Sequence, residues 1–128
     1  MMEINKPRAR ILVIEDDAEL RRVVCETLLA TGYRVTEAPD GLQASVLLQA
    51  KPFDLVITDL YIPKRDGFDV IMESRRSHPG IKIIAVSGHS TRVSILPVDA
   101  WLGARRTIAK HFTAQEMLKL VEEVLGET

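Results

Sequence analysis

Residues 54–67 read DLVITDLYIPKRDG. With Phe53 in front, the first part, FDLVIT, is a short apolar run rich in β-branched residues and almost free of polar alternation. Such a run suits a parallel strand covered on both faces, and it ends on a carboxylate, Asp59. Working outward, Arg10–Glu15 (RILVIE) and Ile81–Val86 (IKIIAV) have the same character. Tyr33–Ala38 (YRVTEA) alternates more and Arg105–Ala109 (RRTIA) is short and half polar, so these two are expected to be the more exposed strands.

Helical patterns separate the strands. Ala18–Thr31 carries Leu20, Val23, Val24 and Leu28 on one predicted core face and stops at Gly32, which suits a left-handed C-terminal cap. Asp17 is placed to cap its start. Gly41–Ala50 follows Asp40 and ends before Lys51 and Pro52, where proline disfavours continuation. Phe68–Ser77 sets Phe68, Ile71 and Met72 on one face. Thr113 and Glu116 form a capping box ahead of Met117, Leu120, Val121 and Val124. Between Gly88 and Gly103 the pattern is weaker: Pro97 can open a helix but not sit inside one, which predicts a loop to about Leu96 and a short helix over Val98–Leu102. The expected architecture is α/β: a doubly wound, flavodoxin-like (βα)₅ fold with a five-stranded parallel sheet in the order 2-1-3-4-5. It forms one domain over residues 1–128, with its core at about 10–125.

Composition narrows the function. At 128 residues, 46 % hydrophobic and 27 % charged, the chain has the balance of an ordinary globular protein. Seventeen basic residues against eighteen acidic ones give no basic footprint for direct nucleic-acid binding. The start has no apolar signal core and no run approaches membrane-spanning length, so a cytoplasmic protein with no membrane partner is expected. A lone cysteine, Cys25, excludes an internal disulfide and fits a small buried hydrophobe in the first helix. Arg105 and Arg106 fit a solvated strand end rather than a phosphate site.

In a parallel doubly wound sheet, chemistry sits at the carboxyl ends of the strands. There the first strand reaches Glu15, Asp16 and Asp17, the third Asp59 and the fourth Ser87, while the fifth leads to Lys110. Crowded carboxylates repel one another unless a cation balances them, and hard oxygen ligands with water access favour Mg²⁺. A carboxylate beside a Lewis acid, a hydroxyl and an ammonium suits in-line phosphoryl transfer.

The stretches ILVIEDD, DLVITDLYIPKRDG, IIAVSG and GARRTIAK, in this order and spacing, resemble the receiver domains of bacterial two-component signalling over nearly the whole chain, about Arg10 to Leu125. The resemblance implies Asp59 as the phosphoacceptor, Glu15 and Asp16 as the acidic pair that holds Mg²⁺ (or Mn²⁺), and Tyr61 as the donor of a backbone carbonyl to the metal. It implies that Ser87 and Lys110 bind the phosphoryl group, that Gly88 keeps access open, and that Pro63 and Gly67 shape the loop after the acceptor. It implies a phosphohistidine donor on a sensor histidine kinase or a histidine phosphotransfer protein, and self-catalysed phosphorylation and dephosphorylation rather than enzyme turnover. With no effector in these residues, the expected output is a separate downstream protein or a second copy of the chain, as a homodimer through the face from Gly88 to Glu127.

Two positions depart from the family pattern. His111 follows Lys110 where the family usually has proline, often through a cis peptide; without proline a cis bond costs about 2.5–4 kcal/mol. Thr107 stands where many receivers carry the Tyr or Phe that rotates on activation. Tyr61 and His89 occupy positions that tune the acyl phosphate's lifetime in the family. Tyr61 is expected to shield the phosphoryl group, whereas His89 equally suits a solvent-facing loop. Trp101 fits either a core position or an exposed anchor. A receiver that has become a phosphate-independent adaptor is the alternative function. A flavin binder would want a phosphate loop where Glu15–Asp17 lie, and an aspartyl-nucleophile phosphatase a second aspartate at the position of Tyr61, so both enzyme readings fit poorly.

Overall fold

A computed structural model describes residues 8–60, 67–87, 106–109 and 111–126. Five strands are present among them: β1 (Arg10–Ile14), β2 (Arg34–Ala38), β3 (Leu55–Asp59), β4 (Lys82–Ser87) and β5 (Arg106–Ala109). All pair in parallel, in the order β2-β1-β3-β4-β5. Four helices accompany them: α1 (Ala18–Ala30), α2 (Gly41–Ala50), α3 (Gly67–Ser77) and α4 (Ala114–Leu125). The expected doubly wound sheet and its strand order are therefore present. The expected helix over residues 98–102, with Pro97 and Trp101, lies outside the described residues.

Every residue of β3 is buried, which is why its sequence is an unbroken apolar run. Its side chains divide between two cores. Leu55 and Ile57 join Ile11, Val13, Ile84 and Val86 under α1 and α4. Val56 joins Leu12, Ile14, Ile83 and Ala85 under α2 and α3. The period-two alternation of a strand thus feeds both layers at once. The two half-polar strands, β2 and β5, are the edges of the sheet, where one flank has no neighbouring strand to cover it.

The helix ends follow the capping chemistry. Asp17 Oδ1 accepts from the amides of Glu19 and Leu20 at 3.0 and 3.2 Å, and Asp40 Oδ1 from that of Gln43 at 2.9 Å. At the other end of α1, Gly32 has φ +104°, which lets the Tyr33 amide reach back to the Leu28 carbonyl at 3.2 Å. The capping box is complete: Thr113 Oγ1 accepts from Glu116 N at 3.0 Å and Glu116 Oε1 from Thr113 N at 2.8 Å.

Two predicted core faces need correction. Val23 is exposed, and the buried stripe of α1 is Val24, Cys25 and Leu28 with Leu20 at its margin. Val23 lies five residues, or about 140° round the axis, from Leu28. Met72 is likewise exposed, while Val70, Ile71 and Ser74 are buried. It stands two residues from both Val70 and Ser74, about 160° round the axis. The side chain of Phe68 lies outside the described set.

Candidate functional site

The carboxyl ends of β1 and β3 are neighbours in the sheet, and the chain is cut there by acidic residues. Glu15 follows the last residue of β1; its amide donates to the Ala38 carbonyl of β2 at 3.1 Å, which fixes it at the rim. Its side chain is buried, and Oε2 accepts from the Asp17 amide at 3.0 Å, so the carboxylate also braces the turn into α1. Asp16 between them is exposed. Asp59 ends β3, only 2 % exposed, in register with Val86 of β4. The next amide, Leu60 N, still donates to the Val86 carbonyl at 3.1 Å, so Asp59 is held by the sheet on both sides of its own position.

Glu15, Asp16 and Asp59 each present a carboxylate oxygen, and these oxygens all lie within 4.8 Å of one another. Two of the groups are buried and one is open to solvent. The donor set is hard oxygen with one solvent-facing member, as Mg²⁺ requires when it keeps part of its water shell. Oxygens on opposite sides of a magnesium ion sit about 4.2 Å apart, so the spacing admits direct ligation by some members and ligation through water by others. The three residues fit a divalent cation.

Arg21 is a part of this rim that motif spacing does not reveal. From the second turn of α1 its Nη1 donates to the Glu15 carbonyl at 2.6 Å, while Nε meets Glu37 Oε1 of β2 at 3.0 Å. The guanidinium thereby ties the metal-side turn to the edge strand. The one hint in the sequence is a cation four residues after the helix cap, at the spacing of one helical turn.

Of the other predicted site residues, Ser87 is the last residue of β4, in register with Ala109, and its side chain lies outside the described set. Tyr61, Pro63, Gly88, His89 and Lys110 lie outside the described residues, as does the Lys110–His111 peptide. Thr107 is described: it is half-buried in β5, opposite Ala85. Asp17 serves as the cap of α1, as expected, and is not a member of the carboxylate cluster.

The parallel sheet in the order β2-β1-β3-β4-β5, with carboxylates gathered at the ends of two adjacent inner strands, places the protein in the flavodoxin-like class of doubly wound folds, whose ligand rim lies at those strand ends. Within that class the chain belongs to the response regulator receiver domain family, whose model matches residues 11–122. It is 30 % identical over 116 residues to the response regulator receiver protein CpdR of Brucella abortus, covering 91 % of this chain and 96 % of that one. To the probable transcriptional regulator ycf27 of Cyanophora paradoxa it is 33 % identical over 129 residues, but there it spans 52 % of the relative's length. Among solved structures, the receiver domain of the sensor histidine kinase PA1611 of Pseudomonas aeruginosa superposes with a TM-score of 0.82 at 26 % identity, covering 94 % of this chain and 99 % of that one. That structure has a magnesium ion coordinated in its active-site cleft.

Among the described residues no helix is long and apolar enough to cross a membrane. Receiver domains work in two-component signalling with histidine kinases and output domains.

Proposed function

We propose that this receiver takes a phosphoryl group onto Asp59 and changes its affinity for a protein partner as a result. The observation that carries the reading is the position of Asp59: a buried carboxylate at the end of the central strand, within 4.8 Å of two further carboxylates. Glu15, Asp16 and Asp59, with the backbone carbonyl of Tyr61, would hold Mg²⁺ or Mn²⁺; the exposed Asp16 is the member best placed for direct ligation. When bound, the cation neutralises the phosphoryl oxygens.

Asp59 supplies the nucleophile. One carboxylate oxygen forms the new O–P bond as the N–P bond of a phosphohistidine breaks, and the departing imidazole nitrogen keeps the electron pair and takes up a proton. Glu15 contributes by bracing the turn that presents Asp16, with Arg21 clamping that turn from behind. Ser87 and Lys110 receive the phosphoryl oxygens, and the new charge of roughly −1.5 to −2 gives them something to close on. Their inward movement shifts the face from Gly88 to Glu127. With Thr107 in place of an aromatic rotor, that change is read out differently from receivers with the aromatic switch, or more weakly.

The donor is a sensor histidine kinase or a histidine phosphotransfer protein. The target is a separate output protein in the cytoplasm or, alternatively, a second copy through the same face. The chain acts as one domain, without direct contact to nucleic acid or membrane.

The test is intact mass after incubation with acetyl phosphate and Mg²⁺, beside Asp59→Asn and a chelator control. A phosphoryl adduct that needs both Asp59 and metal is expected. A folded, metal-binding protein that stays unmodified by acetyl phosphate and by a phosphohistidine donor would instead be an adaptor that signals without phosphate.

A further inference from the structure

The amino-terminal ends of β1 to β4 border an open hollow of about 680 Å³. It lies at the opposite rim from the carboxylates, roughly 15 Å away along the five residues of β1. Its described lining carries four cationic side chains, Arg8, Arg10, Arg34 and Lys82, against a single carboxylate, Asp54. That carboxylate is already committed: Asp54 Oδ2 accepts from Arg10 N at 2.8 Å and meets Arg10 Nε at 3.4 Å. Lys82 Nζ donates to the Leu125 carbonyl at 3.3 Å. With Asp54 set against Arg10, the described lining keeps an excess of positive charge, to which Arg8 and Arg34 contribute from exposed positions. Arg8 is not a loose side chain, because its guanidinium stacks 5.1 Å over the Tyr33 ring. The remaining wall is apolar, with Phe53, Pro79, Ile81 and Leu125.

Cations around an apolar wall select a ligand that carries negative charge and hydrocarbon together. A bare phosphate gains most where the backbone amides of a helix N-terminus converge, and the described lining comes instead from strand starts and from the carboxyl ends of two helices, leaving its apolar wall unused by such an ion. A nucleic-acid strand would want an open aromatic face for stacking, whereas Phe53 is only 6 % exposed and lies edge-on to His78. The net charge of the whole chain is −1, so the positive hollow is a local arrangement and not a general basicity.

We propose that this rim docks an acidic peptide segment of a partner protein, with an apolar side chain set between its carboxylates, and that it does so whether or not Asp59 is phosphorylated. The site would hold a partner near the receiver while the far rim switches.

Fluorescence anisotropy with a labelled EDLFEDE peptide tests this, beside a QNLFQNQ peptide of the same length. Arg8→Glu and Arg34→Glu, at exposed positions, are each expected to weaken binding about tenfold or more. Lys119→Glu, on the exposed face of α4, and Asp59→Asn are expected to leave it unchanged. Circular dichroism of each variant separates lost binding from lost fold. The proposal is overturned if neither peptide binds at millimolar concentration, if the uncharged peptide binds as well, or if Lys119→Glu weakens binding as much as Arg34→Glu. It is also overturned if inorganic pyrophosphate displaces the peptide at equal concentration, since the hollow would then be a phosphate site.

Discussion

Replacing Asp16 with asparagine should make the metal-free protein more stable and the metal-loaded protein less responsive. The three carboxylates lie within 4.8 Å of one another, so each pair repels by about 0.9 kcal/mol at the dielectric of water and about 3.5 kcal/mol at an effective value of 20. Asp16 is the exposed member, which places its two pairs near the lower figure. Removing its charge should therefore relieve about 1–2 kcal/mol, or roughly 3–8 °C in Tm for a domain of this size. Thermal unfolding in a chelator measures that gain directly. The same melts in 10 mM-scale Mg²⁺ should show the parent rising and Asp16→Asn barely moving, because only the folded parent binds the ion tightly. A variant no more stable than the parent in chelator, together with an undiminished Mg²⁺ response, would refute the view that these carboxylates form a strained cation site.

Further outcomes follow from the packing. Leu28, wholly buried between α1 and the sheet, should lose about 2–5 kcal/mol when replaced by alanine, seen as a lower urea midpoint with unchanged slope. Thr113→Ala removes one arm of the capping box and should cost about 1 kcal/mol in the same assay. Burial, reinforced by the negative charge of Glu37, pushes the Cys25 thiol up to about 12. A raised native pKa means the unfolded thiol ionises first, so stability is unaffected below about pH 9 and falls as pH climbs toward 12. Correspondingly, Cys25 should resist iodoacetamide at pH 8 in the native protein and react once urea unfolds it; rapid labelling of the folded chain would contradict its burial.

Much of this structure is legible in the amino-acid order because β3 lies at the centre. A strand covered on both faces has no solvent side, so its apolar run, and the carboxylate that ends it, stand out without any partner information. The capping residues Asp17, Asp40 and Thr113 are legible for a similar reason, since each satisfies amides within three residues of itself. Helix faces are harder. Val23 and Met72 are apolar and close in sequence to core residues, yet the angular step of the helix turns them outward, and only the sheet fixes where the centre of each face falls. Least legible are polar contacts between distant elements. Glu73 is buried, with Ser45 Oγ donating to it at 2.6 Å and Gln49 Nε2 at 3.3 Å, which locks α3 to α2. A glutamate in a charged helix gives no sign of this, because the two donors lie on another helix more than 20 residues away. Arg21 is little better: its spacing from the Asp17 cap is the one hint, and nothing in the sequence pairs it with Glu37, 16 residues away on β2.

The sheet is also uneven in strength from side to side. β1 and β3, which lead into Glu15 and Asp59, have a strand on each flank, whereas β5 has four residues, one neighbour and no fully buried side chain. Under native conditions, amide hydrogen exchange should be slowest along β3 and fastest along β5, as a partial opening that peels off the edge leaves the interior strands paired. A chain arranged this way can loosen its β5 margin many times without disturbing the carboxylates, so the acidic rim keeps its geometry while the edge of the sheet opens and closes.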